Sequence, residues 1–205
     1  MLSTAVSLRD AGGEVAVWVG SIQGSAVKRV PVEADGSTGR VAAIEVGETP
    51  QALASGDEQI WAAAFDDGSI WRLDPGTGEP SEPIELPEAF PSAIAVGYGS
   101  VWVTDVVSNT LLRLDQATGE VERTIEVGDS PTGVAVGEDG VWVINFGDAT
   151  VTHIDPETNE PVGTAIVVGA SSGSGFSTRP RMRARRPSNS FASAASADTV
   201  LPSGR

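Results

Sequence analysis

The sequence predicts an all-β protein built as four-stranded blades of a β-propeller, and three observations carry that reading. Four tryptophans, Trp18, Trp61, Trp102 and Trp142, recur at intervals of 43, 41 and 40 residues. Each sits in a short apolar word: VWVG, IWAA, VWVT or VWVI. Around each word the same four phrases return in order, punctuated by Gly, Asp, Asn or Pro. Four short strands repeated at a period of roughly 40–45 residues describe small antiparallel sheets arranged radially.

The third copy shows the phrases in full: AIAVG (93–97), SVWVTD (100–105), TLLRLD (110–115) and EVERTIEVG (120–128). Each is short, rich in strand-forming residues and bounded by turn formers. In SVWVTD both alternating sets are largely apolar, Trp102 and Thr104 on one side, Val101 and Val103 on the other. That pattern belongs to a strand buried on both faces. One sheet cannot bury both faces alone, so a neighbouring copy has to cover it. The tryptophans are accordingly read as packing between blades, where a buried indole contributes roughly 4–6 kcal/mol as an upper bound. Trp71, which stands where Leu112 and Thr152 stand later, is read as packing or as the wall of a binding groove.

The turns repeat as faithfully as the strands. Aligning DPGTGE (74–79), DQATGE (115–120) and DPETNE (155–160) places Gly78, Gly119 and Asn159 at one position. These residue types tolerate positive φ, so one backbone shape is specified three times. The first copy has DGSTGR (35–40), which puts Gly39 there after an insertion of about four residues. The links VGETP (46–50), LPEAFP (86–91) and VGDSP (127–131) break each outer strand before the next inner strand begins.

Charge divides the chain in two. Residues 1–170 hold 27 acidic and 7 basic residues, whereas 171–205 hold 1 and 6. An acidic body repels phosphate backbones, which argues against nucleic acid as its partner. There is no cysteine, hence no disulfide, thiolate metal site or cysteine nucleophile. The first residues lack a basic segment followed by an apolar core, and no apolar run approaches the ~18 residues needed to cross a bilayer.

Catalytic motifs are absent: no Gly-rich phosphate loop, no G-x-S-x-G, no H-E-x-x-H. Asp66-Asp67-Gly68-Ser69 starts like a calcium loop, but the oxygen-ligand spacing does not continue, and a hairpin turn accounts for it. No metal or other cofactor is expected. In a propeller the loops between second and third strands share a face with the links between blades, and that face is where binding is expected. Three residues past the ruler tryptophans stand Ser21, Ala64, Asp105 and Asn145, polar in three of four copies. Asp105, Asn145 and Asp66 are the candidate polar ring; the competing and simpler reading makes them strand-ending turn formers.

The pattern breaks after TAIVVGASS, where Ser172 stands in the place of Pro50, Pro91 or Pro131. Beyond it five Arg crowd 179–186 in a Ser/Ala-rich stretch that cannot bury a core. The domain division is therefore 1–170, four blades, and 171–205, a disordered tail. Either the tail is a basic arm able to contact phosphate, or the reading frame was lost near 171; the abruptness of the change favours the second. Four blades then form part of a larger propeller, close alone, or share one eight-bladed ring with a second chain.

Residues 15–170 resemble the bacterial YVTN-type propeller repeats and, in appearance, the streptogramin-lyase (virginiamycin B lyase) and NHL propellers. The residues that carry the resemblance are the VWV strands, the hxRhD strands (Arg72, Arg113), the TGE turns and the VG-x-x-P links. The resemblance implies a non-catalytic extracytoplasmic sensor or binding platform for a small molecule, peptide or protein. It also offers an enzyme alternative, a lyase-type elimination. That chemistry needs a histidine pair and a glutamate near magnesium, whereas this chain has one histidine, His153, in the slot of Arg72 and Arg113.

Overall fold

Short apolar phrases separated by Gly and Asx turns can satisfy their backbone only by pairing with the next phrase, and the chain folds as a succession of antiparallel hairpins. The computed structural model describes residues 6–11, 14–21, 23–56 and 59–169, all within the unit Met1–Ser172. The expected tail 171–205 lies outside the described residues.

Four sheets follow one another along the chain. The first contains β1 (Val6–Ala11), β2 (Glu14–Gly20), β3 (Ala26–Val32) and β4 (Ala42–Glu45). The second contains β5 (Pro50–Ser55), β6 (Ile60–Ala64), β7 (Ser69–Leu73) and β8 (Ile84–Glu85). The third contains β9 (Pro91–Gly97), β10 (Ser100–Asp105), β11 (Thr110–Asp115) and β12 (Val121–Glu126). The fourth contains β13 (Pro131–Gly137), β14 (Gly140–Asn145), β15 (Thr150–Asp155), β16 (Glu160–Pro161) and β17 (Ile166–Val167). Its count of five differs from the expected four because the outer strand is split: β16 and β17 both pair with β15, on either side of Gly163 at φ +70. Pro161, which has no N–H to donate, stands at the break. The first strands of the blades, β1, β5, β9 and β13, pack side by side in chain order. The sheets therefore fan out from a common inner row, as blades do.

Three cores lie between blades, and each is built by a tryptophan face meeting the back of the following sheet. Trp18 with Ala16 and Val27 packs on Ile60, Ala62 and Leu73. Trp61 with Ala63 and Ile70 packs on Val101, Val103, Leu112 and Leu114. Trp102 with Leu111 and Ile125 packs on Val141, Val143 and Ile154. Trp71 joins the first of these clusters, against the blade behind it. The fourth tryptophan face is uncovered among the described residues: Trp142 is half-buried, and Ile144 beside it is 52% exposed.

An arginine latch crosses each of these junctions. Register places Arg29, Arg72, Arg113 and His153 opposite Trp18, Trp61, Trp102 and Trp142. The Arg72 and Arg113 guanidinium groups lie over their own tryptophans, 5.8 and 5.2 Å from the ring centres. From there each reaches into the next blade's turn. Arg29 donates to Pro75 O (3.2 Å), Arg72 to Ala117 O (2.9 Å), and Arg113 to Pro156 O (2.7 Å) and Asn159 Oδ1 (2.8 Å). His153 is too short for such a reach. Its ring stacks flat on Trp142 at 4.0 Å, and Nε2 bonds Asp139 O of its own blade at 2.8 Å.

The turns that receive the latch share one geometry. Gly78, Gly119 and Asn159 have φ of +79, +81 and +62, and each N–H donates to the carbonyl of the Asp four residues back at 2.8 Å. In the first blade the positive φ belongs to Gly36 (+82), not to Gly39 as the alignment suggested, because the insertion extends the hairpin beyond Val32 and moves its tip. Gly119 has a second constraint: an added Cβ would run into Ile84 Cδ1 of the preceding blade. Gly119→Ala should therefore destabilise the protein by about 1–3 kcal/mol, through backbone strain plus displacement of Ile84. A denaturant titration checks this.

The same turns make stability sensitive to acid. Asp74, Asp115 and Asp155 accept through Oδ1 from the backbone N–H groups of Gly76 and Thr77, Ala117 and Thr118, and Glu157 and Thr158. These bonds, led by those from Thr77, Thr118 and Glu157, hold the three carboxyls below the usual carboxylate range. A carboxyl lowered on folding stabilises the native state above its unfolded value of about 3.9 and loses that contribution as pH falls through the folded value. The urea midpoint should accordingly drop on acidification below about pH 4. Replacing all three with Asn should flatten that drop.

Candidate functional site

Each link between blades must turn sharply from an outer strand to the next inner strand, and its freed N–H groups need acceptors. The loops between second and third strands supply them. Glu48 N donates to Asp67 Oδ1 at 2.6 Å, and the Thr49 hydroxyl donates to Asp66 Oδ2. Phe90 N donates to Asp105 Oδ1 at 3.0 Å, and Asp129 N to Asp148 Oδ2 at 3.1 Å. On the other side each link is held by the preceding hairpin, through Thr49 N to Gly24 O, Leu86 N to Gly68 O and Ser130 N to Asn109 Oδ1. Links and hairpins thus share one face.

The three candidate residues occupy different settings on that face, and no hydrogen bond joins them to one another among the described residues. Asp66 is exposed and bonded to Thr49. Asp105 ends β10 and is 4% exposed; its Oδ1 also accepts from Val107 N at 3.2 Å. Asn145 holds the equivalent place at the end of β14 and is fully buried, its Nδ2 donating to Thr150 Oγ1 and Thr152 Oγ1 at 2.9 Å. Thr150 Oγ1 passes its own proton to Asp148 Oδ1 at 2.7 Å. The Asn145 Oδ1 has no hydrogen-bond partner among the described residues. Sequence reasoning missed Asp67 and Asp148. The available signal was an acidic residue two positions before Ser69 and Thr150, where an Asx turn starts a strand.

Beside Asp105 lies a groove of 320 Å³. One wall is the link, with Leu86 and Ala89; the other is the third blade, with Leu112, Val121 and Thr124. Ser108 and Thr110 line its loop end, and Glu85 and Glu88 stand on the link side. The link is braced from behind by Phe90, whose ring meets Phe65 of the preceding hairpin at 5.5 Å. Glu88 is held at φ +65, strained for a residue with a side chain. The groove therefore combines an apolar floor, hydroxyls and carboxylates, and Asp105 Oδ2 is an acceptor not used by the link.

No family model matches the chain, and no curated protein matches it. Many solved structures do. Virginiamycin B lyase from Staphylococcus aureus superposes with a TM-score of 0.65 at 16% identity, over 80% of this chain and 56% of that one. Hydrazine synthase of Kuenenia stuttgartiensis gives 0.64 at 19% identity, over 75% and 46%. Glutaminyl cyclase of Myxococcus xanthus gives 0.55 at 13% identity, over 81% and 71%. At such identities the likeness is one of fold. The chain spans about half the length of the first two proteins, 56% and 46%, and its fold is that of β-propeller blades.

Proposed function

We propose that this chain is a non-catalytic binding propeller that takes a small molecule carrying an amine or other strong hydrogen-bond donor beside an apolar portion. The observation that carries this reading is the groove next to Asp105. Its size suits a small ligand, its floor is apolar, and the buried Asp105 keeps Oδ2 for a donor while Oδ1 anchors the link. A carboxylate in such a place favours a cation, and the bond is worth about 1.5–3 kcal/mol.

A binding role rather than a reaction is supported by the state of the single histidine. His153 lies in the fourth blade, stacked on Trp142 and bonded to a carbonyl, whereas the groove lies between the second and third. The extracytoplasmic setting implied by the sequence resemblance suits a sensor of this kind, and fractionation of cells producing the chain tests it. Turnover of virginiamycin B by the chain would replace the binding reading with the lyase alternative.

The test is a screen of amine-bearing fragments followed by chemical-shift mapping. Hits should perturb Leu86, Leu112, Val121 and Thr124, and Asp105→Asn should weaken them by at least about 10-fold. Hits that map elsewhere, or that ignore Asp105→Asn, would overturn the assignment.

A further inference from the structure

We infer that the groove beside Asp105 selects a linear diamine, an alkyl chain with an ammonium at each end, over singly charged amines. The inference rests on the groove reading above and adds a second charge to its ligand.

Three carboxylates line the groove, and they are not equivalent. Asp105 is 4% exposed, and among the described residues only its Oδ1 accepts hydrogen bonds, from Phe90 N and Val107 N. Its Oδ2 is left for a donor inside the groove. Glu85 and Glu88 are exposed on the link, and among the described residues no Lys, Arg or His lines the groove to neutralise them.

The three carboxylates are also spread apart. Among the described residues no group of three acidic side chains stands together as a metal ion would require. The surface they share is apolar, with Leu86 and Ala89 on the link side and Leu112 and Val121 on the third blade. A compact dication would leave that surface bare. A methylene chain covers it and holds two ammonium groups apart.

Glu88 marks where the second charge goes. Ala89 N donates to Leu86 O at 3.1 Å, closing a turn with Pro87 at its second position and Glu88, at φ +65, at its third. A turn of that kind calls for Gly or Asn at the third position, because other side chains are strained there. The links VGETP and VGDSP take their positive φ elsewhere, at Thr49 and Ser130 just before the proline. Only LPEAFP holds a carboxylate in this conformation, at the rim of the groove. Strain kept beside a pocket points to use by a ligand. Glu88 is therefore assigned to the second ammonium, and Glu85 adds to the field around it.

The experiment is a chemical-shift titration of the full chain with straight-chain diamines from diaminopropane to diaminooctane, each compared with the monoamine of equal carbon number. Exposed ion pairs are weak, so at the best chain length the diamine should bind at least about 5-fold tighter than its monoamine, with a smaller ratio on either side. Glu88→Gln should remove most of that preference. Changing Glu85→Gln as well should bring it down to the factor of about 2 that two equivalent ends give statistically. Asp105→Asn, which keeps an Oδ1 for the link, should weaken both series. Diamines and monoamines that bind alike through Asp105 would overturn the inference and leave the groove reading in place. Amines whose binding ignores Asp105→Asn would overturn both. A preference equal at every chain length, or one that survives both Glu→Gln changes, would assign the second charge to the acidic surface at large and overturn the inference.

Discussion

Trp102→Ala is expected to lower the unfolding free energy by about 3–5 kcal/mol, the range for deleting a fully enclosed aromatic side chain. Trp102 is fully buried between the third and fourth blades, stacks under Arg113 and donates its indole N–H to Gly97 O at 3.1 Å. The same change at Trp142, the equivalent residue of the next blade, should cost only about 1–2 kcal/mol, because its face is half open and its neighbour Ile144 is largely exposed. Urea unfolding of both variants makes the comparison. Equal losses would mean that tryptophan packing acts within each sheet and not between sheets.

Arg113→Ala should cost about 2–4 kcal/mol, more than an exposed ion pair would predict. The ion pair with Glu122 at 3.2 Å is partly exposed and contributes little. The larger share comes from the hydrogen bonds to Pro156 O and Asn159 Oδ1 in the next blade and from the contact with the Trp102 ring. Arg113→Lys should recover little of the loss, since an ammonium cannot stack and fork at once. Arg123→Ala, whose only described bond is to the carbonyl of adjacent Glu122, should stay within about 0.5 kcal/mol. Thermal melts of the three variants separate latch from general charge.

Local pattern was enough to read the blades. The phrases 100–105 and 110–115 coincide with β10 and β11, and 93–97 lies within β9, which starts at Pro91, because alternation, bounding Gly and the Trp period all point to the same strands. What pattern could not show was contact across the repeat. In sequence Arg72 and Arg113 look like outward polar residues of an hxRhD strand. Their carbonyl partners lie 45 and 43 residues on, in turns whose letters mark no contact, and only Asn159 answers Arg113 with a side chain as well. The Gly39 assignment failed for a related reason: an insertion keeps the TG letters in line while the hairpin moves its tip to Gly36. At the candidate site, the polar character of Asp105 and Asn145 was visible, but the groove was not. It arises where a link from one blade and an outer strand from the next lie side by side, so none of its walls is a contiguous motif.

The covered junctions also bear on function, since the groove between the second and third blades is rigid only if the junction beside it is. Groove residues Leu86, Ala89 and Leu112 belong to the same cluster as Trp61. Loosening that junction should therefore degrade binding as well as stability.

The most direct measurement of this architecture is a hydroxyl-radical footprint of the chain, read by mass spectrometry at the four repeating tryptophans. Trp18, Trp61 and Trp102 should be protected and Trp142 modified many times faster, as expected for three faces each covered by the following blade and one left open. Protection of all four, or modification of Trp102 as fast as Trp142, would contradict it.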